Sequence, residues 1–126
     1  MSLSYIAVEG YSWDASTTNL PGLPTNSAYS FQDTTSSKVK ADSKKVLLST
    51  IITIAGTDTM QQFTFAGSGT ITGSAQKTKA ELMSVVLEND KVDCIVSCTN
   101  NTTGAVTTGT ITVKISGAGQ SKVKGT

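Results

Sequence analysis

Apolar residues fall along this chain in short clusters set apart by polar and turn-forming residues. Ile51-Ile52-Thr53-Ile54, Phe63-Thr64-Phe65 and Val92 to Val96 supply the apolar positions of short extended segments. Thr, Ser, Val, Ile and Gly dominate these stretches, and they favour strands and turns over helix interiors. Residues tolerant of positive φ separate them at Gly56-Thr57-Asp58, Gly67-Ser68-Gly69, Asn89-Asp90, Asn100-Asn101-Thr102-Thr103-Gly104 and Ser116-Gly117-Ala118-Gly119. The pattern predicts an all-β small single domain of short hairpins.

One stretch has a second reading. In Lys77 to Asp90, Ala80-Glu81-Leu82-Met83 with Val85, Val86 and Leu87 would fit two or three helical turns. Its counterpart, Lys38 to Thr50, carries Ser43 and paired lysines and is a poor helix, so both are read as hairpins. The first 36 residues differ: Tyr5, Tyr11 and Trp13 lie close together, and SWDASTTNLPGLPTNSAYS holds both prolines. That segment reads as a long surface loop after one or two strands.

The counterpart relation is an internal repeat. Lys38-Val39-Lys40-Ala41-Asp42 aligns with Lys77-Thr78-Lys79-Ala80-Glu81, and Val46-Leu47-Leu48 with Val85-Val86-Leu87, at one common offset. Lys122-Val123-Lys124-Gly125 is a third echo, and Gly69-Thr70-Ile71-Thr72 and Gly109-Thr110-Ile111-Thr112 precede the second and third. A strand bearing Lys122 and Lys124 around Val123 is expected to put charge on one face and a core side chain on the other. Two whole units and the opening half of another predict pseudo-threefold internal repeats over residues 37–126, in a cone or prism. The N-terminal strand is expected to supply the missing half beside Lys122.

Composition narrows the partners. Ten Lys+Arg against nine Asp+Glu leave +1, so no global field favours nucleic acid or an anionic membrane. No apolar run approaches the roughly 18–20 residues of a membrane span, and MSLSYIAVEG lacks the basic start and apolar core of an export signal. Synthesis in a bacterial cytoplasm without a signal peptide is expected. Cys94 and Cys98 lie about 13 Å apart on an extended strand, beyond the roughly 7 Å of a disulfide. They read first as small buried thiols, with a metal site as the minor alternative.

The second unit resembles the PAAR-repeat proteins, through Gly69-Thr70-Ile71, Gly73-Ser74-Ala75, Lys77-Thr78-Lys79-Ala80, Val85-Val86 and Asn89-Asp90-Lys91-Val92-Asp93-Cys94 in the family's order. The first matches through Lys44 and Val46-Leu47, and the likeness covers about Ser37 to Thr126. The eponymous proline-alanine-alanine-arginine segment is replaced by Ser84-Val85-Val86-Leu87 and Lys45-Val46-Leu47-Leu48, so the chain is PAAR-like. The resemblance implies a spike tip of a contractile injection system, in type VI secretion or a phage-tail-like particle. One copy would cap the trimeric β-helical spike of the valine-glycine-repeat type and be carried outside to puncture the target membrane. It also implies a structural zinc, but the chain has no histidine; only Cys94, Cys98 and carboxylates such as Asp90 or Asp93 are left to hold one, so a metal-free or atypically bound tip is expected. Leu20 and Leu23 of the Leu20-Pro21-Gly22-Leu23-Pro24 loop, with Lys38, Lys77 and Lys122, are the spike-docking candidates.

Other classes compete less well. Without histidine, Ser-His and Cys-His nucleophiles are excluded within the chain, and Glu88, Asp90 and Asp93 read as solvated turn residues, so no catalytic residue, cofactor or small-molecule substrate is expected. The glycines of AGSGTITG lack the Gly-Lys-Ser/Thr ending of a phosphate loop. The alternative is a β-sandwich adhesin or carbohydrate-binding module with Trp13, Tyr5, Tyr11 and Tyr29 as an aromatic platform. Sequons in Asn100-Asn101-Thr102-Thr103 read as chance.

Overall fold

The computed structural model describes residues 3–80 and 82–125, and within them the chain is built of β-strands with one short 3-10 turn. In chain order these are β1 (Ser4–Tyr5), β2 (Ser12–Thr18), the 3-10 turn Asn26–Ala28, β3 (Tyr29–Ala41), β4 (Lys44–Thr57), β5 (Phe63–Thr72), β6 (Lys79–Ala80), β7 (Met83–Ser84), β8 (Lys91–Asn100), β9 (Val106–Gly117) and β10 (Lys124–Gly125). The long strands form one antiparallel sheet of order β2-β9-β8-β5-β4-β3. The all-β class and single domain hold. The expected short hairpins do not account for the bulk of it, since β3 and β4 run to 13 and 14 residues. The long strands also share one sheet, unlike the two stacked sheets of the sandwich alternative.

Period-two alternation explains the main core. β8 turns Cys94, Val96 and Cys98 inward, β9 turns Ile111, Val113 and Ile115, and β4 turns Ile52 and Ile54, all fully or nearly fully buried. With Phe65 and Ile71 of β5 and Tyr29 of β3 they make one cluster. Each Val, Ile or Phe side chain among them contributes roughly 1.5–3 kcal/mol of transfer free energy. The sheet's terminal strands also meet through side chains: the Trp13 ring on β2 lies 4.8 Å from that of Tyr29 and 4.9 Å from that of Phe31, both on β3. The Tyr11 hydroxyl donates to Asp33 Oδ1 at 2.7 Å across the same seam.

Three local expectations are corrected. Ser12–Thr18, expected within the long loop, is β2; Trp13, Ala15 and Thr17 alternate inward, and the loop proper is 19–28. Gly67-Ser68-Gly69 is no turn but the middle of β5. A Cβ on Gly67 would sit 2.5 Å from the Ile95 carbonyl oxygen, and one on Gly69 2.6 Å from Cys94 Sγ, so these glycines serve close strand packing. Val123 is not a core side chain: it is 37% exposed, and Gly125 takes the buried place.

Both repeats around Lys40 and Lys79 are hairpins. Lys40 pairs with Lys45 and Ala41 with Lys44, Lys79 with Ser84 and Ala80 with Met83. The two chain ends form a third ladder in the same register, Lys124 with Tyr5 and Gly125 with Ser4. Asp42 and Ser43 make the first turn, with φ of 52° and 65°. Glu81, aligned with Asp42, lies outside the described residues.

Candidate functional site

The residue that follows each short ladder by two places enters a closed ring of backbone hydrogen bonds. Ala7 N–H donates to the Val86 carbonyl at 2.8 Å, Val86 N–H to Leu47 at 3.0 Å, and Leu47 N–H to Ala7 at 2.9 Å. Each segment therefore gives one bond and takes one. Side chains alternate about this ring as on strands. Ala7, Leu47 and Val86 point into the main core, while Ile6, Val8, Val46, Leu48, Val85 and Leu87 form a second buried cluster with Ala41, Ala75 and Ala80. The ring is a plate between two apolar layers, so its polar groups are satisfied within the chain and shielded from water.

Bonds around the ring repeat the match. Val85 N–H donates to Thr78 O and Ile6 N–H to Val123 O; Glu88 N–H donates to Tyr5 O and Glu9 N–H to Lys45 O. Ser36 Oγ accepts from Lys38 and Val39 N–H, and Gln120 Oε1 from Lys122 and Val123 N–H, so two chemically different side chains hold the same turn. Sequence comparison aligned Val46-Leu47-Leu48 with Val85-Val86-Leu87 but missed Ile6-Ala7-Val8. The signal was present: Ile6-Ala7-Val8-Glu9 parallels Val85-Val86-Leu87-Glu88.

The docking candidates fall into two groups. Lys38, Lys77 and Lys122 are exposed and belong to the short-ladder end, each two residues before a ladder lysine. Leu20 and Leu23 lie in loop 19–28, beside the turns that join β4 to β5 and β8 to β9: Thr25 N–H donates to Thr57 O, and Asn101 Nδ2 to Gln61 O. The two groups therefore lie at opposite ends of the long strands. Lys122 meets Asp42 at 3.4 Å, an exposed pair of small energetic weight.

The thiols and carboxylates do not assemble a metal site. Cys94 and Cys98 are free and point inward from β8, and burial pushes both thiols up. Asp93 is on the opposite face of that strand and accepts from Thr112 Oγ1, while Asp90 caps its own turn by accepting from Leu87 N–H and from Ser74. Glu88 accepts from Ala118 N–H. Among the described residues no three His, Cys, Asp or Glu side chains come together, so the donor set does not fit the zinc that the resemblance implies.

The aromatic residues also separate. Tyr5 sits at the short-ladder end under Lys124 Nζ, 4.7 Å from the ring centroid. Tyr11, Trp13 and Tyr29 gather at the β2–β3 seam beside a cavity of about 530 Å³. No family model matches the chain, and neither a curated protein nor a solved structure is significantly similar to it.

Proposed function

We propose that the three matched segments are copies of one unit set about a threefold axis, and that the chain caps the end of a trimeric β-helical spike in a contractile injection system. The observation that carries the reading is the ring of Ala7, Leu47 and Val86, in which three segments of one polypeptide hold equivalent hydrogen-bonded places. The end of a homotrimeric shaft presents three identical strand ends, and exposed strand edges invite aggregation unless covered. A single chain covers all three at once only if it offers three equivalent surfaces.

The short-ladder end is the better seat. Its three ladders share one register, and Lys38, Lys77 and Lys122 occupy equivalent places on it. The opposite end joins the long strands by connections of unequal length, 19–28, 58–62 and 101–105, which suit a symmetric partner poorly. Leu20 and Leu23 then face away from the spike.

Reconstitution with trimeric valine-glycine-repeat spike protein tests this by mass measurement of the complex. One copy of this chain per three spike chains is expected, and changing Lys38, Lys77 and Lys122 together to Glu should weaken it. A stable homotrimer of this chain alone, or no complex with any spike of the same cell, refutes the proposal.

A further inference from the structure

We infer that the seam between β2 and β3 is a binding site for a neutral saccharide. The starting observation is a break in an otherwise regular plan. The strands joined by 58–62 pair along their length from Ser49–Thr72 to Thr57–Thr64, and those joined by 101–105 from Lys91–Lys114 to Thr99–Val106. The strands joined by 19–28, β2 and β3, are instead the two ends of the sheet. At this break the chain collects its single tryptophan, two of its three tyrosines and its longest connection.

The cavity there, about 530 Å³, is of the size that holds small ligands. Tyr11, Trp13, Asp14, Leu23, Asn26 and Tyr29 are among its lining. Trp13 and Tyr11 are only half-buried, so part of their amphipathic ring surface is open to the C–H face of a pyranose. The Asp14 carboxylate and the Asn26 amide are exposed and make no side-chain hydrogen bond among the described residues, which leaves acceptors and donors for sugar hydroxyls. Among the described residues no lysine lines the cavity, so none there would neutralise a phosphate, sulfate or uronate. An extended peptide fits less well, because the Trp13, Tyr29 and Phe31 rings already fill the space between the two strand edges. The inference is independent of the spike reading.

Trp13 is the only tryptophan, so its fluorescence reports this cleft alone. The probes are maltotriose, cellotriose and chitotriose, with a sulfated heparin tetrasaccharide and a Ser/Thr-rich peptide as contrasts. A saturable change in emission with at least one neutral trisaccharide is expected. Asp14→Ala and Asn26→Ala, both at exposed positions outside the core, should each weaken it by about three- to tenfold, the share of one hydrogen bond, with unchanged circular dichroism. No response to any trisaccharide overturns the inference. So does a response confined to the peptide or the anionic sugar, or one that both variants leave unaltered.

Discussion

Circular permutation tests the equivalence of the three short ladders directly. Joining Thr126 to Met1 and opening the chain between Asp42 and Ser43 turns the ladder of the two ends into an ordinary hairpin and the first hairpin into a pair of ends. The new connection spans Gly125 to Ser4, whereas the one removed is the two-residue turn between Ala41 and Lys44. Closing four residues instead of two costs about 0.6 kcal/mol, since each doubling of loop length adds that much. Against this, Asp42 and Ser43 leave left-handed conformations that cost a non-glycine residue roughly 1 kcal/mol each. The two terms oppose each other and leave about 1.4 kcal/mol in the permutant's favour, so it should unfold cooperatively within about 1.5 kcal/mol of the parent by urea titration. A control opened between Ile52 and Thr53, inside the sheet, should lose its cooperative transition because β4 pairs on both sides there. If the first permutant fails to fold, or if both behave alike, the equivalence argument is wrong.

Three further outcomes follow from local geometry and titration. Gly73→Ala should cost about 2–4 kcal/mol by chemical denaturation, because its Cβ would fall on the Ser84 carbonyl, whereas Gly104→Ala, at φ +77° in open space, should cost only about 1 kcal/mol. Cys94 and Cys98 should resist iodoacetamide in the native protein at mildly alkaline pH and both react in guanidinium; rapid native modification of either would show that this face of β8 is not core. The Tyr29 phenol is pushed up to about 12, chiefly by burial, so its contribution to stability is complete below the unfolded phenol's pKa of about 10 and is lost as pH rises through about 12. Tyr29→Phe should lessen that alkaline decline in urea midpoints at little cost at neutral pH, since the buried hydroxyl it removes has no hydrogen-bond partner among the described residues.

Much of the sheet was readable because β4, β8 and β9 carry large apolar residues at every second position, and the turns at Asn89-Asp90 and Asn100 to Gly104 use residues suited to positive φ. β2 was hidden because its inward residues after Trp13 are Ala15 and Thr17, too small or polar to give a period-two signal. Gly67 and Gly69 misled for a related reason: the same residue type serves a turn and a tight strand contact, and only the neighbour on β8 tells them apart. Sheet order was not legible at all. β2 pairs with β9 and β5 with β8 across long stretches of chain, which local pattern does not specify. Of the candidate site, Leu47 and Val86 were visible through the repeat, and Ala7 was not, its small side chain carrying little hydrophobic weight.

On the proposed threefold reading, the ring's chemistry explains how one chain would repeat its architecture without repeating its surface. The three bonds join backbone atoms, so Ala, Leu and Val serve alike at the ring, provided each fills its share of the core. Side chains elsewhere are then free to diverge, as Ser36 and Gln120 do while holding the same turn. In a homotrimer any substitution appears three times, and a cleft formed by prying two strands apart would open three seams in a small sheet. Within one polypeptide the cost falls on a single seam, and the Trp13, Tyr29 and Phe31 contacts partly offset the lost ladder with aromatic packing. On this argument the cleft exists once per chain, and a saccharide titration followed by calorimetry must saturate at one ligand per chain. A stoichiometry of three would place the binding at the repeated ladders instead of the seam.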